Sequence, residues 1–237
     1  MKWEGRFSSP ERKRQYVRRL FSTIADRYDL ITILLSYGQD KRWKRQLATL
    51  ASNSPHLRAL DLACGTGDIA FELASRGADV TGLDITLRML KIAQRKPRKP
   101  PGSVAFVAGD MMALPFPDRS FDLVTTGYGL RNVPELAPAL AEIRRVLAPG
   151  GRLLSLDFNR PANPMIRSIY LTYLTLVGSA LGALLHRDPD TYRYIPESIR
   201  RYPGAAGVCA LARAAGFAEC SYRPVLGGLM AIHSARN

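Results

Sequence analysis

Short apolar runs alternate with stretches of helical spacing from residue 57 onwards, and this alternation predicts the fold. Five runs have the length and apolar content of buried strands, and a turn or a helical pattern follows each of them. These runs cover residues 57–62, 78–84, 104–107, 121–126 and 152–157. Strands that alternate with helices are typical of a mainly parallel, doubly wound sheet.

The C-terminal pattern differs, because two strand-like runs follow each other directly. A helical pattern over 208–215 precedes apolar runs at 217–225 and 229–234. Gly227 and Gly228 separate these two runs and are typical of a hairpin turn. The sequence therefore predicts an α/β fold with a doubly wound seven-stranded sheet, in which the terminal hairpin supplies one antiparallel strand.

Two segments stand outside this alternation and predict additions to the sheet. Amphipathic helices over 12–28 and 40–51 form an N-terminal helical cap. Residues 168–185 carry no charge and approach the length that crosses a bilayer, but serines, threonines and glycines interrupt them. We interpret this run as a buried or membrane-touching helix of an inserted lid. We expect a single domain made of a cap, a core, a lid and a C-terminal helix with its hairpin, at 1–52, 57–160, 161–203 and 204–237.

The charge and the cysteines indicate which partners and which cellular compartment the protein has. Lys and Arg number 34 against 20 Asp and Glu, so the formal net charge is +14. A surface this basic attracts phosphate, either on nucleic acid or on anionic lipid. The three cysteines form no Cys-x-x-Cys pair, so we expect no disulfide framework and a cytoplasmic protein. The first twenty residues lack the apolar stretch of a signal peptide.

Small residues and acids follow three successive predicted strands and form the strongest candidate site. Residues 61–68 read DLACGTGD between the first strand and a helix, where small residues let the backbone approach a ligand. Asp84 ends the second strand and suits both hydroxyls of a ribose. Asp110 follows the third strand and suits an adenine amino group, with Met111 against the ring. Because carboxyl ends of parallel strands meet at one edge of a sheet, the three positions predict a nucleoside site.

A dinucleotide oxidoreductase is the main alternative for such a site. Its phosphate loop needs the spacing Gly-x-Gly-x-x-Gly, whereas this chain has Ala63, Gly65 and Gly67 at alternate positions, followed by Asp68. A carboxylate at Asp68 repels a pyrophosphate but suits a cationic sulfonium. The pattern therefore favours a methyltransferase that uses S-adenosylmethionine.

Several narrower stretches carry a family resemblance. They are the cap segment 28–45, the Leu-Pro-Phe and Gly-Leu-Arg-Asn-Val pieces at 114–116 and 129–133, the Pro-Gly-Gly region at 144–158, and the lid pieces Tyr-Arg-Tyr and Glu-Ser-Ile-Arg at 192–194 and 197–200. From about residue 16 to the C-terminus, the chain resembles the demethylmenaquinone and ubiquinone-precursor C-methyltransferases. It departs from them in the cap at Thr32, where Asn is usual, and at Asp40, where His is usual. These departures leave open which quinone is used.

The resemblance implies a Rossmann-like fold, S-adenosylmethionine as the cofactor and C-methylation of a polyprenylated quinol ring, most directly demethylmenaquinol to menaquinol. It implies a cofactor site at the strand ends, and the motif adds the loop residues beside it. The site residues are Thr66, Asp84, Asp110, Met111 and Gly127 by resemblance, and Asp61, Gly65 and Gly67 from the loop.

A lipophilic substrate on a basic chain favours peripheral contact with an anionic cytoplasmic membrane, without nucleic acid as a partner. The sequence is compatible with a homodimer. An apolar groove in the lid would accommodate the substrate's tail. Candidates for that groove are Ile166, Tyr170, Leu174, Leu181 and Leu184. These residues could instead pack the lid onto the rest of the domain.

Candidates for the chemistry lie near the fourth strand, the glycine loop and the first helix. Arg131 could stabilise a developing phenolate, and Asn132 with Asp68 could orient a water that takes the hydroxyl proton. Tyr28 could close over the ring. Structural roles compete, because Arg131 could instead pair with Asp68 or Asp157 and Tyr28 could be a core aromatic. The three histidines are scattered, so we expect no metal site.

Other functions stay open at this point, and one of them is methylation of a different small molecule. An RNA methyltransferase or RNA-binding protein fits the charge, although no RNA-binding module or interleaved aromatic and basic motif occurs. A non-catalytic partner in a quinone-synthesis assembly would fit the departures at Thr32 and Asp40.

Overall fold

A computed structural model describes residues 9–51 and 56–237 of the chain. The start of the predicted cap, residues 1–8, and its last residue, 52, lie outside the described residues. The first helix begins at Pro10, and Ser9 caps it, because the Ser9 hydroxyl accepts a hydrogen bond from the backbone N–H of Arg12. Such a side chain satisfies one of the free N–H groups at a helix start and so fixes the boundary.

The described part of the cap contains three helices where the sequence predicted two. The predicted helix over 12–28 is wrong at its end, because a 3₁₀ turn interrupts it. In that turn Asp26 pairs with Arg88, a residue outside the cap, so a tertiary contact holds the bend. In chain order the elements are α1 (Pro10–Ile24), the 3₁₀ turn (Ala25–Arg27), α2 (Tyr28–Leu35) and α3 (Asp40–Thr49).

Seven strands form one sheet in the order β3-β2-β1-β4-β5-β7-β6. The strands are β1 (Arg58–Leu62), β2 (Asp79–Asp84), β3 (Val104–Ala108), β4 (Phe121–Gly127), β5 (Leu147–Phe158), β6 (Glu219–Val225) and β7 (Met230–Arg236). β7 is antiparallel to both β5 and β6, whereas the pairings among β1 to β5 are parallel. The predicted doubly wound seven-stranded sheet with a terminal antiparallel hairpin strand is confirmed.

Helices cover both faces of this sheet. They are α4 (Asp68–Ala74), α5 (Leu87–Arg95), α6 (Leu136–Val146), α7 (Pro164–His186), α8 (Tyr194–Arg201) and α9 (Gly204–Ala214). One buried apolar cluster joins the sheet to α3, α4 and α7, and a second joins it to α6 and α9. The carboxyl ends of β1, β2 and β4 meet at one edge, which is where open α/β sheets bind ligands.

The sequence predicted that strand β5 begins at residue 152, but in the structure it begins at Leu147. Helix α6 ends at Val146, and the chain enters the sheet at once. The register of β4 against β5 shifts between Phe121 and Leu123, so the intervening residues form a bulge. A bulge accommodates extra residues without ending the strand.

The cysteines differ from the expectation of unpaired thiols. Cys209 on α9 and Cys220 on β6 form a disulfide, with Cα atoms 5.2 Å apart. The expectation is wrong here because α9 packs on the strand that follows it, which brings together two cysteines 11 residues apart in the sequence. Cys64 is free and buried.

Packing of α6 on the sheet gives a test of the fold. Ile143 is fully buried between this helix and the strands. Ile143→Ala should lower the free energy of unfolding by about 2–5 kcal/mol, because it removes apolar contacts and leaves a cavity. Ala141→Ser, at an exposed position of the same helix, should change it by less than about 0.5 kcal/mol. Urea unfolding followed by circular dichroism measures both, and equal effects would contradict the packing described.

Candidate active site

The loop after β1 has a backbone that suits close approach to a ligand. Ala63, Gly65 and Gly67 all have positive φ angles, of 50°, 54° and 82°. A Cβ atom at Gly67 would lie 3.0 Å from both Phe71 and Phe106, so a side chain there would be crowded as well as strained by the backbone conformation. The loop therefore turns tightly and leads directly into α4.

Asp84 at the end of β2 holds this loop. Its Oδ2 accepts a hydrogen bond from the Gly65 N–H at 2.8 Å, and its Oδ1 accepts one from the Thr86 N–H at 2.7 Å. Burial raises the pKa of the Asp84 carboxyl, and the two N–H donors oppose that rise. The acid therefore orders the glycine loop and, at the same time, borders the cavity beside it.

A cavity lies at this edge of the sheet, and we call it the glycine-loop cavity. Its empty space is about 690 Å³ when the open solvent at its mouth is included, as it is in the volumes below. It brings together seven of the residues predicted from the sequence. They are Tyr28, Gly65, Asp84, Asp110, Met111, Gly127 and Asn132. Thr66, Asp61 and Asp68 border a smaller neighbouring cavity of about 280 Å³ instead. Gly67 borders neither, and its contribution is the turn.

Helix α1 forms a wall of the glycine-loop cavity that the sequence did not predict. Arg14, Val17 and Phe21 contribute to this wall. Arg14 Nη1 lies 3.2 Å from Asp110 Oδ2, while Asp110 Oδ1 accepts a hydrogen bond from the Met112 N–H. The acid expected to meet an adenine amino group thus already has two partners on the protein. The amphipathic pattern of α1 could have shown its buried side, but not what it covers.

A second, apolar cavity of about 630 Å³ adjoins the first. Phe21, Tyr28 and Tyr128 border both cavities, so these aromatic rings form the partition between them. The apolar cavity is also lined by α2, by Trp43 and Phe158, and by lid residues. Those lid residues are Thr191, Tyr192, Tyr194 and Ile195.

The predicted lid groove is wrong, because none of its five residues lines the apolar cavity. Tyr170 and Leu174 pack into the core beneath α7, and Leu181 packs beside the cluster formed by α1 and the lid. Ile166 and Leu184 are exposed. The direction in which a long apolar helix turns its sides depends on tertiary packing, which periodicity alone does not reveal.

Arg131 is a buried cation at the wall of the apolar cavity. Its Nε lies 3.1 Å from Asp157 Oδ1, and its guanidinium carbon lies 4.9 Å from the centre of the Phe158 ring. Its Nη1 donates to Asn132 Oδ1 at 2.8 Å and to Ser198 Oγ at 3.3 Å. The competing expectation that Arg131 pairs with Asp157 is therefore confirmed, and the pair still leaves the cation beside the cavity.

Asn132 ties Arg131 to its surroundings. Its Oδ1 accepts hydrogen bonds from Arg131 and from the Tyr194 hydroxyl at 3.0 Å, and its amide donates to the Tyr128 carbonyl at 2.7 Å. Asn132 borders the glycine-loop cavity, whereas Asp68 borders the smaller one. The structure does not bring these two candidates to a common cavity.

Asp68 belongs to a chain of alternating charges that the sequence did not indicate. The Tyr128 hydroxyl donates to Asp40 Oδ1 at 2.7 Å, and Lys44 Nζ lies 2.7 Å from Asp40 Oδ2 and 3.1 Å from Asp68 Oδ2. Lys96 Nζ lies 2.9 Å from Asp68 Oδ1. Burial opposes ionisation of Asp68, but the two ammonium groups outweigh it and lower the pKa of this carboxyl. Asp68 is therefore a weak base.

Tyr128 and Asp40 are thus residues of the site that sequence reasoning missed. Tyr128 has a φ of 61°, an uncommon conformation for a side chain of this size, and it follows β4 directly. Asp40 and Lys44 stand four residues apart on α3 and are both buried. An acid and a base at this spacing usually form a solvated pair, so nothing in the sequence distinguished this one.

Asp61 is the most deeply buried acid of the glycine motif, and it has an unused oxygen. Its Oδ1 accepts a hydrogen bond from Thr125 Oγ1 at 2.8 Å. Its Oδ2 has no hydrogen-bond partner in the part of the chain that the structure describes. Burial raises the pKa of Asp61 to about 7. A cation nearby would stabilise the charged form of this carboxyl.

Comparison with known proteins shows which family the chain resembles. The model of the ubiE/COQ5 methyltransferase family matches residues 10–237. The demethylmenaquinone methyltransferase of Thermus thermophilus is 44% identical over 216 residues, which cover 90% of this chain and 98% of that protein. The ubiquinone/menaquinone biosynthesis C-methyltransferase of Methylobacterium nodulans is 42% identical over 230 residues, with coverage of 94% and 91%.

Solved structures agree on the fold. An S-adenosylmethionine-dependent methyltransferase from Thermotoga maritima aligns with a TM-score of 0.66 over 93% of this chain and 99% of that chain. Its sequence identity is 18%, so this likeness shows the fold alone. The family match and the two relatives, by contrast, extend over most of the sequence. The chain therefore belongs to the ubiE/COQ5 methyltransferase family.

Proposed function

We propose that the protein transfers the methyl group of S-adenosylmethionine to a ring carbon of a polyprenylated quinol, with demethylmenaquinol as the first substrate and a ubiquinone precursor as the second. The observation that carries this proposal is the pair of adjoining cavities. One is bordered by the glycine loop and by acids at strand ends, and the other is largely apolar and contains Arg131 in its wall. Tyr28, Phe21 and Tyr128 stand between them.

The glycine-loop side fits the cofactor. The loop turns through positive φ angles with small residues, Asp84 borders the cavity, and Asp61 has a buried oxygen without a partner among the described residues. We assign cofactor contacts to Gly65, Asp84, Asp110, Met111 and Gly127, and supporting roles in the loop to Asp61, Thr66 and Gly67. When bound, S-adenosylmethionine supplies an electrophilic methyl group.

The apolar side suits a quinol ring. Aromatic residues surround the space, and the buried Arg131 can stabilise negative charge that develops on a ring hydroxyl. We assign Tyr28 the role of covering the ring and Asn132 the role of holding Arg131 in place. Alignment of the reacting atoms can contribute roughly 7–11 kcal/mol, more than a single base contributes.

A ring hydroxyl must lose its proton for the neighbouring carbon to become nucleophilic. Asp68 is occupied by two ammonium groups, so we assign it to fixing Lys44 rather than to accepting the proton. Tyr128 borders the apolar cavity and donates to the carboxylate of Asp40. The hydroxyl can pass its own proton to Asp40 and take up the proton of the ring hydroxyl. Among the described residues Asp40 has one ammonium partner, Lys44, whereas Asp68 has two.

The chain's setting follows from the substrate. A polyprenyl tail partitions into a membrane, and the net charge of +14 favours an anionic surface. We therefore propose a cytoplasmic enzyme in peripheral contact with the membrane, acting as a single catalytic unit. A homodimer is compatible with this reaction.

The first test is methyl transfer itself. Purified protein with labelled S-adenosylmethionine should label reduced demethylmenaquinone in lipid vesicles, and a ubiquinone precursor in parallel shows which ring is preferred. Transfer RNA serves as the acceptor for the competing RNA methyltransferase function and should stay unlabelled. If calorimetry shows cofactor binding while neither quinol is labelled, the quinone assignment is wrong.

Arg131 gives a test of charge stabilisation. Arg131→Met should lower kcat about 10²–10³-fold, because a preorganised donor at the developing charge is lost. Arg131→Lys should recover part of this rate. Stopped-flow or quenched single-turnover methylation measures it, while the Kd for S-adenosylmethionine should change less than about threefold.

Removal of Arg131 alone also leaves Asp157 buried without its partner, which destabilises the fold. The double variant Arg131→Met with Asp157→Asn removes both charges and controls for this effect. A folded double variant with an unchanged kcat would show that Arg131 has a structural role alone.

Asp61 gives a prediction about pH. Since its pKa is about 7 in the free protein, this carboxyl is largely protonated at pH 6. A cationic cofactor favours the ionised form, so binding should release close to one proton at pH 6 and weaken as the pH falls below about 7. Calorimetry in two buffers of different ionisation enthalpy measures that release. Asp61→Asn should abolish both effects, and an unchanged proton release in this variant would contradict the assignment.

The raised pKa of Asp61 also affects how stability depends on pH, and in the opposite direction from a carboxylate whose pKa is lowered by folding. The native protein keeps a proton on Asp61 that the unfolded chain loses above pH 4, so this group makes stability fall as the pH rises from about 4 to about 7. Urea midpoints of the cofactor-free protein should therefore decline less over this window in Asp61→Asn than in the wild type. An identical decline in both proteins would mean that Asp61 ionises normally.

A further inference from the structure

Helix α7 has two apolar sides, and one of them is uncovered by the described residues. Tyr170, Leu174 and Gly178 face the core. On the opposite side Ile169 and Leu176 are 65% and 66% exposed. The helix is long and apolar enough to cross a membrane by length and composition, yet one side is packed against the protein. An apolar helix of this kind usually has a partner for its outer side.

Helix α2 extends the same uncovered surface. Its outer residues Leu30, Ile33 and Leu34, and Tyr37 just after the helix, are between 37% and 58% exposed. The Tyr37 ring stacks on Tyr173 of α7, with the ring centres 6.0 Å apart. Because Tyr173 lies one helical turn from both Ile169 and Leu176, the two helices present one continuous surface. We call it the α2–α7 face, and it consists of Leu30, Ile33, Leu34, Tyr37, Ile169 and Leu176.

The inner side of α2 lines the apolar cavity. Ile31, Thr32, Leu35 and Ser36 all border that cavity, while their neighbours on the helix form the α2–α7 face. A single helix, two turns long, thus separates the apolar cavity from the uncovered apolar surface. Whatever covers the face is one helix away from the proposed quinol site.

An arginine cleft adjoins the face at the first turns of α7. Arg160, Arg167 and Arg200 line it together with the hydroxyl residues Ser168 and Thr172, and no acid is among its lining residues. Thr172 stands between Ile169 and Leu176 on the same side of the helix. The guanidinium contacts are long, at 3.4 Å to the Arg200 carbonyl, the Pro161 carbonyl and Glu197 Oε2. Guanidinium groups with hydroxyl donors recognise phosphate oxygens.

We propose that the α2–α7 face docks onto an anionic bilayer, with a lipid phosphate held in the arginine cleft and α2 lying at the hydrocarbon boundary. Charge complementarity selects this occupant, because an uncovered apolar surface and a cleft of three cations match the two layers of an anionic leaflet. This inference rests on the proposed function, because docking places the protein where a membrane-embedded quinol is found. A quinol ring could then enter the apolar cavity while its tail stays in the bilayer.

Vesicle sedimentation tests the docking without reference to catalysis. The full chain should bind vesicles of phosphatidylcholine with 30% phosphatidylglycerol at least tenfold more tightly than vesicles of phosphatidylcholine alone. The cleft variant Arg160→Gln with Arg167→Gln and Arg200→Gln, and the face variant Leu34→Ser with Ile169→Ser and Leu176→Ser, should each bind the anionic vesicles at least tenfold more weakly.

A matched control separates the cleft from the overall charge. Arg119 precedes β4, and Arg152 on β5 pairs with Arg236 at the end of β7, so all three lie at the edge of the sheet opposite the carboxyl ends of the parallel strands. Replacing these three by Gln removes the same charge and should weaken vesicle binding less than threefold. If this control loses as much binding as the cleft variant, the attraction is nonspecific and the docking site is overturned.

Two turnover assays distinguish docking from the proposed function. With a soluble, short-tailed demethylnaphthoquinol, the cleft and face variants should turn over within twofold of the wild type. With a long-tailed quinol embedded in anionic vesicles, they should lose at least tenfold in kcat/KM. If the wild type methylates neither quinol, the proposed function is contradicted, whereas the conclusion on docking from the sedimentation experiment is unaffected.

Self-association is the competing occupant of the face. Light scattering after size exclusion should give the same mass for the wild type and the face variant. A wild-type dimer that the face variant converts to a monomer, together with unchanged vesicle binding, would overturn the docking proposal in favour of a second copy of this chain.

Discussion

The buried ion pair between Arg131 and Asp157 is the interaction on which the site depends. Asp157 is fully buried near the end of β5, and Arg131 stands in the turn after β4. Moving both charges out of water costs several kcal/mol per ion, and a pair of apolar side chains of similar size would stabilise a core as well. The pair is therefore not explained by stability. The pair provides a fixed cation at the wall of an apolar cavity. In such a cavity, a negative charge on a bound molecule has little water to stabilise it, so a fixed cation can take the place of water.

The same pair links the sheet to the lid. Arg131 donates to Ser198 of α8, and Asn132 accepts from the Tyr194 hydroxyl at the start of that helix. On the other side of the aromatic partition, Tyr128, Asp40 and Lys44 tie α3 of the cap to the strand end. Cap and lid are thus each fastened to the carboxyl edge by buried polar contacts rather than by apolar packing alone. Such contacts require specific geometry, so they hold the two cavities in a fixed relation to each other.

Much of the site could be predicted from the sequence because its determinants are local. The glycine loop needs residues that tolerate positive φ angles, and Asp84 ends a strand whose apolar run is visible in the sequence. Other features depend on what packs against what. The bend at Asp26 is held by Arg88 from another element, the pairing of Cys209 with Cys220 follows from helix packing, and Tyr128 becomes part of the site through Asp40. None of these contacts can be predicted from the periodicity of hydrophobic residues in the sequence.

Helix α7 shows the same limit in another form. Its length and composition alone fit a membrane span, a core helix or a lid helix equally well. Its glycines, which weaken a span when counted in the sequence, turn out to be packing contacts. A Cβ atom at Gly182 would lie 2.5 Å from the Asp188 carbonyl oxygen, and one at Gly178 would lie 3.2 Å from Tyr192 Cβ. The helix is therefore held along one side by the chain that follows it, and it cannot both keep these contacts and cross a bilayer by itself. A helix fixed in this way can still present its other side to a membrane surface, which reconciles its apolar composition with its place in an α/β fold.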